Sequence, residues 1–128
     1  MRVLLDTQAF LWFVSGDARL SADARQLIED TSNERIISVV SLWEIAIKFS
    51  IGKLNLALPF AIFIPQQLHK NLIDQLDITF DHLATVTILP FHHKDPFDRL
   101  MIAQAIVEQV PVISIDSTFD LYGITRLW

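Results

Sequence analysis

Four carboxylates stand where apolar runs begin or end. Asp6 closes Val3-Leu4-Leu5, and Glu44 follows the run Ile36 to Val40. Asp98 opens the apolar-periodic stretch Leu100 to Val110, and Asp116 closes Val112 to Ile115. If those runs are buried strands and the helices beside them, the acids gather at one edge of one sheet. Like charges in a partly dry site, with an effective dielectric constant of about 20, repel strongly. A divalent cation is the simplest neutraliser. The chain has no Cys, and an all-oxygen donor set suits a hard ion, Mg²⁺ or Mn²⁺. Such an ion keeps waters and engages phosphates, which points to phosphoryl chemistry. Two ions about 4 Å apart can activate water and stabilise the leaving oxygen in an in-line displacement.

Each acid also has a plainer explanation. Ser41-Leu42-Trp43-Glu44 has the spacing of a capping box. Asp98 suits a helix dipole, and Asp116 before Ser117 suits a turn or cap. Asp6 has less excuse, because Thr7 could cap the following helix unaided. The histidines carry less: His92 and His93 read as surface-loop residues, His69 and His82 as helix surface. Trp12, Phe13, Phe60 and Phe63 could stack on bases, but their helical spacing favours a core or an interface.

The elements that must carry these groups follow from pattern. Val3 to Leu5 is a short strand buried on both faces. Thr7 starts a helix that stops at Ser15-Gly16-Asp17, and Ser21 caps an amphipathic second helix. Arg35 to Val40 is a strand, followed by a helix capped at Ser41 and ended by Gly52. Pro59 suits the first position of another helix, which Pro65 should kink or split. Leu76 to Thr79 is a short strand and Asp81 to Val86 a short helix. Asp95-Pro96-Phe97-Asp98 combines a cap, a first-turn proline and an acid, a full helix start. Pro111 ends that helix, Val112 to Ile115 is a strand, and Ile124 to Leu127 an edge strand. Strands alternating with helices predict one α/β domain over residues 1–128, with a mostly parallel sheet covered on both faces.

Bulk numbers narrow the possibilities. The 128 residues are 52% hydrophobic, with a mean hydropathy of +0.39. Not all of that apolar surface fits inside one small domain, so a subunit or partner interface is expected. The net charge of −5 argues against a broad basic nucleic-acid surface. Contact with nucleic acid would be local or run through metal. Lys48, Lys53, Lys94, Arg99 and Arg126 are the cations to look for near the acids. Asp6 and Gln8 interrupt the apolar N-terminus, and no run reaches the roughly 18 apolar residues of a membrane helix. A cytoplasmic chain without membrane contact is expected.

The same residues carry a family likeness. Leu4-Leu5-Asp6-Thr7, Ser38 to Ala46, His93 to Leu100, Ile102 to Ala105, and Ile115-Asp116 with Phe119 resemble, in order, the PIN-domain ribonucleases. Among these they are most similar to the VapC-type toxins of toxin–antitoxin pairs. Tyr122-Gly123 and the terminal Leu127-Trp128 resemble one branch of them. The resemblance implies a three-layer α/β/α fold with a central, mostly parallel sheet. It implies Mg²⁺ or Mn²⁺ held by Asp6, Glu44, Asp98 and Asp116, with Ser114 as a polar neighbour, and hydrolysis of RNA. It also implies a homodimer and a small antitoxin that wraps the helices. Members with the Asp-Pro-Phe-Asp-Arg string often have His where this chain has Gln8. Asp95 matches the helix cap and not the metal position.

The reading is therefore a metal-dependent endoribonuclease. Asp6 and Asp98 hold the principal metal, Asp116 and Glu44 complete the site, and Arg99 or Lys48 contacts the RNA backbone. A receiver-like signalling module shares length and acidic edge, but it needs paired acids after the first strand, where only Asp6 is present. An aspartyl-phosphate phosphatase needs an acid at position 8, which is Gln. A degenerate PIN fold kept for partner binding would not need all four acids.

Overall fold

The computed structural model describes all residues, Met1–Trp128. Five strands form one sheet in the order β3-β2-β1-β4-β5. They are β1 (Arg2–Leu5), β2 (Glu34–Ser38), β3 (Ile73–Leu76), β4 (Val112–Ile113) and β5 (Arg126–Leu127). All four pairings are parallel, so "mostly parallel" becomes wholly parallel. Six helices connect them: α1 (Thr7–Ser15), α2 (Ala22–Glu29), α3 (Val39–Ser50), α4 (Phe60–Asn71), α5 (Phe80–Val86) and α6 (Pro96–Glu108). A 3₁₀ turn, Ser117–Tyr122, lies between β4 and β5.

The central position of β1 explains its unbroken apolar run. Val3 and Leu5 point into one core with Phe10, Ala24, Ile28, Ile37, Ile45 and Ile64, from the α1, α2, α3 and α4 side. Leu4 points the other way, packing with Ile36, Val112, Met101, Ile102 and Phe119. Alternate residues of one strand thus serve two cores, and the layers are helix, sheet, helix.

The register sets up the site. Leu5 pairs with Ile37 on one side and Ile113 on the other. The next residues, Asp6, Ser38 and Ser114, therefore line up along one edge. β1 leads to a neighbour on one side by β2 and has β4 on the other, so Asp6 stands where the strand order reverses. Crevices in open α/β sheets form at that place.

Several boundaries differ from the sequence-based expectation. The strand expected over Arg35 to Val40 ends at Ser38, whose hydroxyl accepts from the Val40 amide at 3.0 Å and caps α3. The serine captures the chain three residues early, and Val39 and Val40 become helical despite their β-branches. Likewise Asp6 rather than Thr7 caps α1, accepting from the Ala9 amide at 2.7 Å. The strand expected over Leu76 to Thr79 lies three residues earlier, because Ile73 provides its buried anchor and Thr79 caps α5. α4 runs through Pro65 without being split, starting after Pro59 as its N-cap. β4 stops at Ile113, and Ile115 is half exposed. His82 is fully buried rather than on the helix surface. Its ring accepts from the Thr79 amide at 3.0 Å and meets Glu108 at 3.1 Å, so polar partners on both nitrogens make its burial tolerable.

Candidate functional site

Four separate segments deliver the acids to the carboxyl edge of the sheet. Asp6 ends β1 and Asp116 follows β4 as the cap of the 3₁₀ turn. Asp98 is the third residue of α6, behind a cap in which Asp95 accepts from the amides of Phe97 and Asp98 at 2.8 and 3.1 Å. Because α3 starts at Val39, Glu44 lies in its second turn. The capping-box explanation of Glu44 therefore falls away, and nothing in the helix start requires an acid there.

The carboxyl groups sense one another. Burial raises Asp6 to about 6; the Ser114 hydroxyl and Ala9 amide oppose the rise, and the charges of Asp116 and Glu44 add to it. Asp98 is raised to about 7 by burial first and then by Asp95, with Glu44 and Asp6 contributing and His93 pulling the other way. Burial also acts on Asp116, but hydrogen bonds from Thr118 and from His93 outweigh it and hold the carboxyl below its ordinary range. The four acids predicted from the sequence do come together.

Glu44 shows what the cluster lacks. One oxygen, Oε2, accepts from Lys48 Nζ at 2.8 Å, while Oε1 is buried without a hydrogen-bond partner. An orphaned carboxylate oxygen among mutually repelling carboxylates fits an all-oxygen cation site. Asp6, Glu44, Asp98 and Asp116 could hold such an ion, and the hardness of the donors favours Mg²⁺ or Mn²⁺.

The cations fall in different places. Lys48 is half exposed and opens into a groove lined by Gln8, Lys53 and Arg19. Arg19 is tied to Asp17 at 2.7 Å. Arg126 is held by Asp120 and donates to the Ser114 carbonyl at 3.2 Å. Ser114 is fully buried, and its hydroxyl accepts from the Asp116 amide at 3.0 Å. Arg99 corrects an expectation. It is only 7% exposed, and its guanidinium donates to the carbonyls of Val86, Leu89, Pro90 and His93 at 2.9–3.4 Å. Those donors are already satisfied inside the protein, so Arg99 holds a loop and does not face the RNA backbone.

His93 is the residue that sequence reasoning undervalued. Its Nε2 is 2.9 Å from Asp116 Oδ2 and 3.1 Å from Asp98 Oδ2. Adjacent histidines looked like loop surface, and His92 is indeed exposed, packed edge-on against Tyr122. The available signal was that His93 stands two residues before the cap of the acidic helix.

Comparison with known proteins gives a consistent picture. The family profile described as the PIN domain matches residues 3–124. Ribonuclease VapC16 of Mycobacterium tuberculosis (strain ATCC 25618 / H37Rv) is 34% identical over 70 residues, 52% of this chain and 50% of that protein. The match thus spans about half the length of that relative. VapBC2 from Rickettsia felis, solved bound to a DNA fragment from their promoter, contains a chain similar at TM-score 0.72 and 14% identity. The alignment covers 99% of this chain and 98% of that one. VapBC-1 from nontypeable Haemophilus influenzae gives a TM-score of 0.65 at 12% identity, covering 99% and 97%. At such identities the solved structures speak for the fold.

Proposed function

The chain belongs to the PIN-domain family, and from that premise we propose that it is a Mg²⁺- or Mn²⁺-dependent endoribonuclease, the toxin of a toxin–antitoxin pair. The observation that carries this reading is the convergence of Asp6, Glu44, Asp98 and Asp116 from four segments, with Glu44 Oε1 unpartnered. The similarity to Ribonuclease VapC16 supports RNA as the substrate.

Asp6 and Asp98 would be the principal residues holding the cation, with Glu44 and Asp116 completing the set. A divalent cation held there would polarise a phosphate and lower the pKa of a water toward neutrality. The residues of the chain do the rest. Ser114 holds the β4 terminus against Asp6, so that Asp116 and Asp6 keep a common bearing. Asp116, held ionised by its hydrogen bonds, is an acceptor able to orient an attacking water. Lys48 pins one Glu44 oxygen and offers its half-exposed ammonium to the RNA backbone at the mouth of the groove shared with Lys53.

An inhibitory partner would need an apolar face beside these acids. Leu42, Trp43 and Ala46 of α3 and Phe60, Ile64 and Leu68 of α4 form such a groove. Trp43, 57% exposed, directly precedes Glu44. The likeness to the VapBC2 and VapBC-1 chains supports a small antitoxin as the occupant. The homodimer implied by the family likeness is part of the same proposal. No helix is long and apolar enough to cross a membrane.

The test is cleavage of a mixed RNA by the purified protein with Mg²⁺, beside Asp6→Asn and Asp98→Asn variants. Equal cleavage by all three would remove the mechanism. Incorporation of phosphate from acetyl phosphate would favour a receiver-like module instead.

A further inference from the structure

Polar ties hold the loop between α5 and α6 to the body of the protein, and two of them end on the backbone of His93. The His93 amide donates to Tyr122 Oη at 2.7 Å, and that hydroxyl donates in turn to the Pro90 carbonyl at 2.9 Å. The Arg99 guanidinium collects the carbonyls of Val86, Leu89, Pro90 and His93. The imidazole packs against Phe119 with ring centroids 6.0 Å apart. Backbone and ring are therefore both placed, and the ring is delivered onto two of the acids.

The hydrogen bonds also decide where its proton sits. Nδ1 accepts from the Asp95 amide at 3.2 Å. That contact uses the Nδ1 lone pair, so a neutral ring accepting it carries its proton on Nε2. Nε2–H then faces Asp116 Oδ2 at 2.9 Å and Asp98 Oδ2 at 3.1 Å. By distance alone, His93, Asp98 and Asp116 would make a three-ligand cation site, their ligand atoms all lying within 4.8 Å. The chemistry of the ring argues otherwise. With Nδ1 occupied as an acceptor and Nε2 carrying the proton, the ring has no lone pair to give a metal.

We propose that His93 is a positioning residue and not a metal ligand: its Nε2–H clasps Asp98 of α6 to Asp116 of the 3₁₀ turn and sets which carboxylate oxygens face the cation. Asp95 couples the clasp to the helix. Its amide orients the ring, while its carboxylate caps the turn that carries Asp98. The inference rests on the metal-dependent nuclease reading of the same site. Groups that orient ligands from behind in this way change metal affinity by roughly 10- to 100-fold when removed.

The experiment has two arms. Long-range ¹H–¹⁵N correlation spectra of the metal-free protein, and of the protein with Mg²⁺, read the two ring nitrogens of His93. A protonated Nε2 and an unprotonated Nδ1 are expected in both. Mn²⁺ binding is then measured by electron paramagnetic resonance for His93→Ala, His93→Asn and His93→Gln, with circular dichroism to confirm folding. Gln keeps an N–H at the reach of Nε2, whereas Asn reproduces only the Nδ1 position. Ala and Asn should weaken Mn²⁺ binding about 10- to 100-fold, and Gln should restore it to within a few-fold of the parent. An Nε2 that loses its proton to Mg²⁺, or parental Mn²⁺ affinity in His93→Ala, overturns the clasp. If the parent protein bound neither ion, the nuclease reading would fail, while the metal-free spectrum would still decide the tautomer. If the variants fail to fold, the spectra of the parent alone decide.

Discussion

Lys48 Nζ lies 2.8 Å from Glu44 Oε2, one helical turn along α3, so a lysine half in solvent is anchored to a buried acid of the cluster. The pair is i,i+4, and with the lysine 47% exposed its worth to stability is small. Lys48→Met nonetheless leaves the buried Glu44 carboxylate without its one hydrogen-bond donor, so the thermal midpoint should fall in chelator and less so with Mg²⁺. It should raise KM for RNA several-fold with a smaller change in kcat, as loss of a backbone contact does. Steady-state kinetics on one defined RNA checks this; an unchanged KM would remove Lys48 from the substrate path.

Asp6 caps α1 as well as facing the other acids. Asparagine preserves the cap, whereas alanine removes it at a cost of about 1 kcal/mol. Asp6→Asn should keep the parental thermal midpoint or exceed it in chelator while losing at least about 100-fold in RNA cleavage, beyond the loss typical of groups behind the ligands. Asp6→Ala should lose activity and stability together. Paired melting curves and cleavage assays separate the two roles.

Burial and neighbouring charges raise Asp6 to about 6 and Asp98 to about 7, from an ordinary 3.8. The folded state then binds more protons than the unfolded state between the ordinary value and the raised ones. Stability of the metal-free protein consequently falls as pH rises through that window and levels off above it. In chelator the thermal midpoint should drop between about pH 4 and about pH 7, and Asp98→Asn should flatten the drop. Mg²⁺ should restore stability at the alkaline end, because the ion binds the ionised carboxylates. A midpoint that climbed across the window would contradict the packing of these acids.

Arg99 supplies donors to the carbonyls of Val86, at the end of α5, and of Leu89, Pro90 and His93 in the loop, from a buried position. Lysine offers a point charge in place of a planar fork, so Arg99→Lys should leave several of those carbonyls unsatisfied. A loss of about 2–4 kcal/mol in urea unfolding is expected. Metal affinity should fall with it, since the same loop carries His93. Unchanged stability would show that water replaces the guanidinium without cost.

Much of the site was legible as residue types at element boundaries. The apolar run Val3 to Leu5, buried on both faces, marked Asp6 as the end of its strand, whereas the run to Ile115 overshot β4, which stops at Ile113, three residues before Asp116. The string Asp95-Pro96-Phe97-Asp98 specified its helix start locally, through a cap and a proline that need no tertiary help. Glu44 was read at the third position of a helix capped at Ser41, whereas α3 starts at Val39 and puts it in the second turn. The capping box at Ser41 was a plausible local competitor, but the pairing of β2 with β1 ends at Ile37 and Ser38, the next residue, caps the helix.

The sequence by itself determined the order of strands and helices, the carboxylates at their ends and the family, because these depend on residue type and on contacts within a few positions. Contacts across the chain settled the remainder. Arg99 turned inward because the chain before α6 folds back so that the carbonyls of Val86, Leu89, Pro90 and His93 meet its guanidinium. His82 became core because Glu108, 26 residues on, could meet its ring. His93 joined the acids because Tyr122, Phe119 and Asp116, 23–29 residues away along the chain, converge on it. A side chain's neighbours at such separations follow from how the layers pack, and no local period of the sequence encodes them.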